Sequence, residues 1–327
     1  MAEALGGGRL PAATTLRILS DGRAGHEAQT LGIAEALGLS PDIRRIAPRP
    51  FFAALAPFGP PDPRDGAAFA APYPDIALAA GRRTLPLLRR LKRASGERTF
   101  TVYVNAPATG RRAADLIVAP RHDALPGDNV VAPLTPANRI TLERLAGARA
   151  APDPRLAALP IPRVALLIGG DSRHGAYGAG QIAELEHIAA SLLAGGYGVM
   201  ATASRRTPKA LREALKRVLV APGGFFWDGE GENPYLSILA NADSIVVTGD
   251  SVNMVGEAVA TGASVHVVAP PRRARRIDAY LGALREAGAI RIWAGALEDW
   301  PAAPMNATPA IAHAIAEAYR RFAALRG

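Results

Sequence analysis

Short apolar runs rich in valine and isoleucine alternate with helical patterns along most of this chain, and the alternation runs through twice. In the first half the runs cover residues 16–20, 43–47, 76–79, 100–104 and 116–119. Helical patterns over 27–37 and 84–94 follow the first and third, the former closed by Gly38. The rhythm restarts at 164–168 and continues through 198–202, 225–227, 244–248 and 265–268. Strand–helix alternation of this kind predicts parallel sheets covered on both faces. The expected fold class is therefore α/β, with two doubly wound parallel-sheet domains facing across a cleft.

At 327 residues there is enough chain for two cores of ordinary size. Residues 1–14 read as a flexible tail without the charged-then-apolar pattern of a signal peptide. The first domain is expected over 15–149, a Pro- and Ala-rich linker over 150–162, and the second domain over 163–303. The remaining 304–327 predict a helix with Ile311, Ile315, Ala318 and Phe322 at helical spacing, able to pack back on the first domain.

Cysteine is absent, which excludes disulfides and cysteine metal sites, and leaves the redox compartment open, with a reducing cytoplasm compatible. No run approaches the roughly 18 apolar residues needed to cross a bilayer. The net charge of +9 is uneven: residues 1–150 hold 20 Lys and Arg against 13 Asp and Glu. Such a half suits an anionic membrane surface or a phosphorylated ligand, or is a solvated helix face. Aromatic residues, at 6%, are too sparse for a nucleic-acid stacking surface. The apolar, proline-broken segment 50–61 is neither a spanning helix nor a strand. It reads as a loop packed on its own domain or as one that adheres to a membrane.

Three polar turns follow expected strands, the position at which open parallel sheets hold ligands. In 246–268 a strand runs through a tight turn into a helix, and the amides there would meet an anion such as a diphosphate. Asn253 and Glu257 are four apart and share a helix face, with Met254 beside them, and Glu257 is placed to meet a ribose. Its alternative role is to sit favourably at the helix N-terminus, and Asp250 and Ser251 are either ligand contacts or N-caps.

The turn at 169–178 offers Gly169 and Gly170 amides, the Ser172 hydroxyl and the Arg173 guanidinium to phosphate. Ser204 and Arg205, with Arg206, are further phosphate candidates, and the 227–233 loop a candidate frame for a base. In the turn at 20–26, Gly22, Arg23 and Gly25 allow close approach. His26, at the helix entrance, is suited to take a proton from a hydroxyl, or is simply a locally bonded helix-entry residue. Asp21 would orient His26 or itself act as the base. No His, Asp or Glu cluster has metal-ligand spacing, so a metal-independent chemistry without a resident cofactor is expected.

These segments resemble the mitochondrial fission ELM family, also described as ELM/GtrOC glycosyltransferase-like proteins. The matching stretches are SDGRAGHEAQTLGIAEAL at 20–37, LLIGGDSRHGAY at 166–177 and TASRRTP at 202–208. They continue with FFWDGEGENPYLSILANAD at 225–243, TGDSVNMVGEAVATG at 248–262 and PMNATPAIAHAI at 304–315. The resemblance implies a GT-B-like fold of two Rossmann-like domains, with the nucleotide-sugar donor on the C-terminal one and the acceptor mainly on the N-terminal one.

The motif order is also similar, more distantly, to the UDP-N-acetylglucosamine transferase that forms lipid II. That likeness implies a UDP-linked donor and an inverting transfer. It gives the catalytic role to His26, with Asp21 kept from the residues themselves as the other candidate base, diphosphate roles to Gly169, Gly170 and Ser172, and a ribose role to Glu257. Gly22, Arg23, Gly25 and Asn105 fall on the acceptor side, where a lipid-linked acceptor at the inner face of a membrane is compatible. The chain departs from that transferase in its Asp-Gly-Arg-Ala-Gly-His turn and in the inserted Asp171. Two alternatives stay open: an adaptor of the fission type that recruits a partner to a membrane, and a nucleotide-sugar epimerase of the same shape.

Overall fold

The computed structural model describes residues 8–171, 175–270, 272 and 274–326. The chain forms two compact units, Met1–Arg139 with Ala307–Gly327, and Ile140–Asn306. In chain order the first unit carries β1 (Leu16–Ser20), α1 (Ala24–Leu37), β2 (Pro41–Arg45), α2 (Pro50–Leu55) and β3 (Ile76–Ala80). It continues with α3 (Leu85–Ala94), β4 (Phe100–Val104), β5 (Leu116–Val118) and β6 (Val130–Val131). The second unit holds α4 (Leu142–Ala150), α5 (Pro154–Ala157), β7 (Arg163–Ile168), α6 (Ala179–Ala194), β8 (Gly198–Ala203) and α7 (Lys209–Leu219). Then come β9 (Gly224–Trp227), α8 (Tyr235–Ala240), β10 (Ser244–Thr248), α9 (Val252–Val259), β11 (Ser264–Val268), α10 (Arg275–Glu286) and β12 (Arg291–Ile292). The last helix, α11 (Thr308–Ala324), belongs to the first unit.

Each unit is built on a six-stranded sheet, ordered β2-β1-β3-β4-β5-β6 in the first and β12-β11-β10-β7-β8-β9 in the second. Every pairing is parallel. β1, β3 and β4 are buried at every position, so their sequences are largely apolar rather than alternating, and the one buried cation, Arg17 of β1, is satisfied by Asp42 and by the Ala70 and Pro72 carbonyls. In the first unit Ile18, Leu78 and Val102 pack on one face with Ile33 of α1 and with Ile311 and Ile315 of α11. Leu19, Ala77, Tyr103 and Ile117 face the other way, against Leu87, Leu88 and Leu91 of α3. The second unit buries Val164, Leu166 and Val199 with Leu185, Leu211 and Leu215 from α6 and α7.

The change of unit falls at Arg139–Ile140 rather than within 150–162. α4 packs on the second unit, where Arg149 Nε donates to the Ala240 carbonyl at 2.6 Å and Leu145 is wholly buried. The 150–162 stretch carries α5, capped by Asp153, and is packed chain rather than a spacer. Alanine favours helix, so the composition that suggested a linker serves helices here. α11 is seated by Thr308, whose hydroxyl accepts from the Asn138 amide and donates to its carbonyl. Phe100 meets Phe322 with ring centroids 5.1 Å apart. Among residues 8–14, expected as flexible tail, Leu10 is buried and its amide donates to the Leu37 carbonyl.

Candidate functional site

Both sheets reverse their winding at one point, between β1 and β3 in the first unit and between β7 and β10 in the second. Crevices at the carboxyl ends of the strands flanking such a point are where doubly wound sheets bind ligands.

In the first unit β1 delivers Asp21, whose side chain is almost fully buried, and α1 begins three residues later. His26, in the first turn of α1, contacts Asp21 through Nδ1 at 2.9 Å from Oδ1. A carboxylate facing Nδ1 holds the proton there and leaves the lone pair of a neutral ring on Nε2. Burial pushes the Asp21 carboxyl up, but the hydrogen bond and charge of His26, with the Arg23 amide and guanidinium, outweigh it and the net direction is down. The Gly22 amide donates to Ser20 Oγ, which in turn donates to Glu27 at 2.6 Å.

Gly81, directly after β3, has φ +89°. A Cβ built on it would lie 2.5 Å from Asp21 Oδ2 and 2.7 Å from His26 Nδ1. The pair is therefore held against bare backbone that only glycine supplies. Tyr103 on β4 is pushed up to about 12 by burial and by the Asp21 charge. Asn105, at the end of β4 with φ +82°, donates from Nδ2 to Gln29 of α1 at 3.0 Å. The structure thus groups Asp21, Gly22, Arg23 and His26 at the end of β1, with Asn105 tied to the same helix. Gly25 lies inside α1 rather than in the turn.

In the second unit three turns are sewn together. The Gly169 amide donates to Thr248 Oγ1 at 2.7 Å and the Gly170 amide to Asp250 Oδ2 at 2.9 Å. Asp250 also accepts from the Tyr177 hydroxyl at 2.6 Å. A Cβ on Gly169 would sit 2.2 Å from Asp250, and one on Gly170 2.2 Å from the Arg206 carbonyl carbon. These two glycines admit the neighbouring turns, and their amides are engaged within the protein instead of pointing at a diphosphate. Asp250 is likewise a tie between turns.

Ser204 shares a hydrogen bond with Thr207 and accepts from the Arg206 amide, so its hydroxyl serves its own turn. Arg205 is exposed. In the 227–233 loop the Trp227 ring nitrogen donates to the Glu230 carbonyl. Ser172 and Arg173 lie outside the described residues.

α9 starts at Val252 with Ser251 as its N-cap, accepting from the Met254 amide. Asn253, Met254 and Glu257 are all partly buried on this helix. Glu257 accepts from the Tyr235 hydroxyl at 2.6 Å, and burial pushes its carboxyl up to about 7 despite that bond. A carboxyl poised there takes either side of a hydrogen bond near neutral pH.

Residues 24–319 match the family model described as Mitochondrial fission ELM1. The chain belongs to the mitochondrial fission ELM1 family. It is 31% identical over 281 residues to the mitochondrial fission protein ELM1 of Arabidopsis thaliana, covering 78% of this chain and 65% of the plant protein. This chain thus spans a little under two thirds of that relative's length.

Among solved structures, the glycotransferase of kitacinnamycin aligns over 95% of this chain and 94% of its own, with a TM-score of 0.53 and 15% identity. The UDP-GlcNAc 2-epimerase of Neisseria meningitidis, bound to UDP-GlcNAc, aligns over 95% and 99%, with a TM-score of 0.50 and 11% identity. At such identities the likeness concerns fold, and the fold of this ELM1-family chain is GT-B-like, two Rossmann-like domains.

Three residues of the candidate site carry no expectation from sequence: Gly81, Tyr177 and Tyr235. Each acts through a neighbour distant in the chain. Gly81 follows a strand and opens Gly-Arg-Arg-Thr, a pattern that would suggest a turn but names no partner. Among the described residues no group of three or more His, Cys, Asp or Glu is arranged to hold a metal ion.

Proposed function

We propose that this chain is an inverting glycosyltransferase that takes a nucleotide-diphosphate sugar, UDP-linked, and works without a metal ion. The observation that carries the reading is the His26–Asp21 pair, an oriented base at the switch point of the first sheet with glycine backbone packed against it.

In the proposed reaction His26 Nε2 removes the proton of an acceptor hydroxyl, and Asp21 stabilises the imidazolium that forms. The acceptor oxygen bonds to the anomeric carbon on the face opposite the nucleotide, the bond from that carbon to the phosphate oxygen breaks, and the diphosphate leaves. Charge gathering on it is met by the N-terminal turn of α9 and by Arg205. Glu257, set by Tyr235, bonds the ribose. Asn105, Arg23 and Gly22 border the acceptor, for which a lipid-linked alcohol at the inner face of a membrane is compatible, in a protein acting in the cytoplasm.

A thermal-shift panel of UDP-, GDP-, ADP-, CMP- and TDP-sugars tests the donor, because a ligand that binds only the folded chain raises its melting temperature. Stabilisation by UDP-sugars, lost in Glu257→Ala, is expected. No shift with any of them overturns the reading. The plant relative's name favours one rival, an adaptor of mitochondrial fission, which predicts a protein partner whose capture survives His26→Ala. The fold shared with a 2-epimerase favours another, which predicts an epimeric sugar formed without acceptor.

A further inference from the structure

We propose that the first unit docks on an anionic lipid bilayer through the Phe51–Phe58 segment, which is helix α2 and the turn after it rather than the expected loop, and through the guanidinium-lined cavity beside α3. The segment presents Phe51 and Phe58 at 67% and 71% exposure, with Leu55 also exposed, while Phe52 turns inward beneath the Arg49 guanidinium. Two large aromatics held in water are costly unless something apolar covers them.

The segment is fixed at both ends and at its tip. Arg49 grips Asp62 through its amide and two side-chain nitrogens, at 2.8–2.9 Å. From the α3 side, Arg82 donates to the Ala56 carbonyl at 2.6 Å and Arg89 to that of Pro57. Carbonyl partners leave the cations' charge uncompensated. The aromatic tips and these charges therefore form one rigid surface.

The second observation is independent. A cavity of about 280 Å³ lies between α3 and residues 112–115, lined by Arg89, Lys92, Arg93, Glu97, Arg112 and Asp115 among others, with both acids within reach of Lys92. Asp115 neutralises Lys92, whereas Arg89, Arg93 and Arg112 have no carboxylate partner among the described residues. Burial and the adjacent Arg93 charge both press the Arg89 pKa below its ordinary value. A cluster of guanidiniums held together this way is stabilised by a dianionic or monoanionic phosphate. Arg89 belongs to both features: it lines the cavity and donates to the Pro57 carbonyl of the aromatic segment. Between residues 76 and 96 the chain carries six cations and no acid.

Phenylalanine tips ringed by arginine fit the boundary between headgroups and acyl chains, with the cavity taking a headgroup phosphate. A polynucleotide would need a track of stacking rings, and the cavity is a single pocket.

The test is co-flotation of the whole chain with phosphatidylcholine vesicles with and without phosphatidylglycerol, at low and high salt. It reads binding alone and is separate from glycosyl transfer. Binding to the anionic vesicles that falls with salt is expected. Phe51→Ser/Phe58→Ser should weaken it by about tenfold or more, and Arg93→Gln/Arg112→Gln by roughly fivefold per charge. Both pairs are at the surface, and melting curves check that the fold is kept. Calorimetry with inorganic phosphate separates a soluble-anion site from a membrane one. Phosphate binding without vesicle binding overturns the proposal. So does equal binding to neutral vesicles, or unchanged binding by both variants.

Discussion

Tyr235 donates its hydroxyl to Glu257 Oε2 at 2.6 Å, joining the first residue of α8 to the second turn of α9. The bond holds a carboxyl whose proton is released only near neutrality, because burial acts on it more strongly than the phenol does.

This bears on stability. The Glu257 pKa of about 7 lies above its ordinary 4.5, so folding takes up a proton between those values. Stability should fall as pH rises through that window, by roughly 3 kcal/mol for this group. Glu257→Gln keeps an acceptor for Tyr235 but has nothing to ionise. Its melting temperature relative to the unsubstituted chain should therefore climb from pH 5 to pH 8. A constant difference across that range would contradict the assignment.

Gly81→Ala should be disproportionately damaging for a single methyl. It combines a left-handed backbone position with a Cβ inside the Asp21–His26 contact. A loss of about 1–3 kcal/mol in urea unfolding is expected. Donor-dependent transfer, once a donor is found, should drop further than stability alone explains. Gly96→Ala, also at positive φ but with open space around it, supplies the comparison for backbone strain alone.

The tie through Asp250 predicts coupling. Tyr177→Phe removes one donor to the carboxylate and should cost about 1–2 kcal/mol. Asp250→Ala strands both the Gly170 amide and the Tyr177 hydroxyl and should cost more, roughly 2–4 kcal/mol. In the double variant the losses should fall short of their sum, measured by chemical denaturation as a double-mutant cycle.

His26→Ala should reduce transfer by about 10²–10⁴-fold while leaving donor-induced thermal stabilisation in place. Asp21→Asn should also lower activity, since an amide presents the ring with a weaker acceptor. The Asp21 carboxyl is held below its ordinary 3.8. It therefore contributes stability that is present above that value and lost on further acidification. Asp21→Asn should flatten this acid limb in melts between pH 5 and pH 2.

Much of the architecture was legible because buried parallel strands are predominantly apolar, and 16–20, 100–104 and 244–248 read from sequence with the bounds found in the structure. β2 lies at Pro41–Arg45 rather than 43–47, since its half-exposed positions carry no apolar pattern to fix the ends. The two-residue strands β6 and β12 leave no periodicity at all. The boundary between units escaped for another reason: α4 is assigned by what it packs against, and composition does not report partners.

The sites divide in the same way. His26, Asp21 and Glu257 announce themselves by residue type beside a strand end. The use of the Gly169 and Gly170 amides was not legible, because it depends on Thr248 and Asp250, about 80 residues away. Gly81 was hidden similarly: a glycine after a strand is common, and only the approach of Asp21 gives this one its necessity.

The place of α11 in the first core sets an order on synthesis. A nascent chain makes β1 to β6 first, yet the apolar face that Ile311 and Ile315 cover stays open until all of 140–306 has been translated. The second unit, whose residues are contiguous, is complete before its predecessor. On the ribosome the first unit is begun before the second and finished after it, and in the interval its open sheet face is a surface in need of a chaperone.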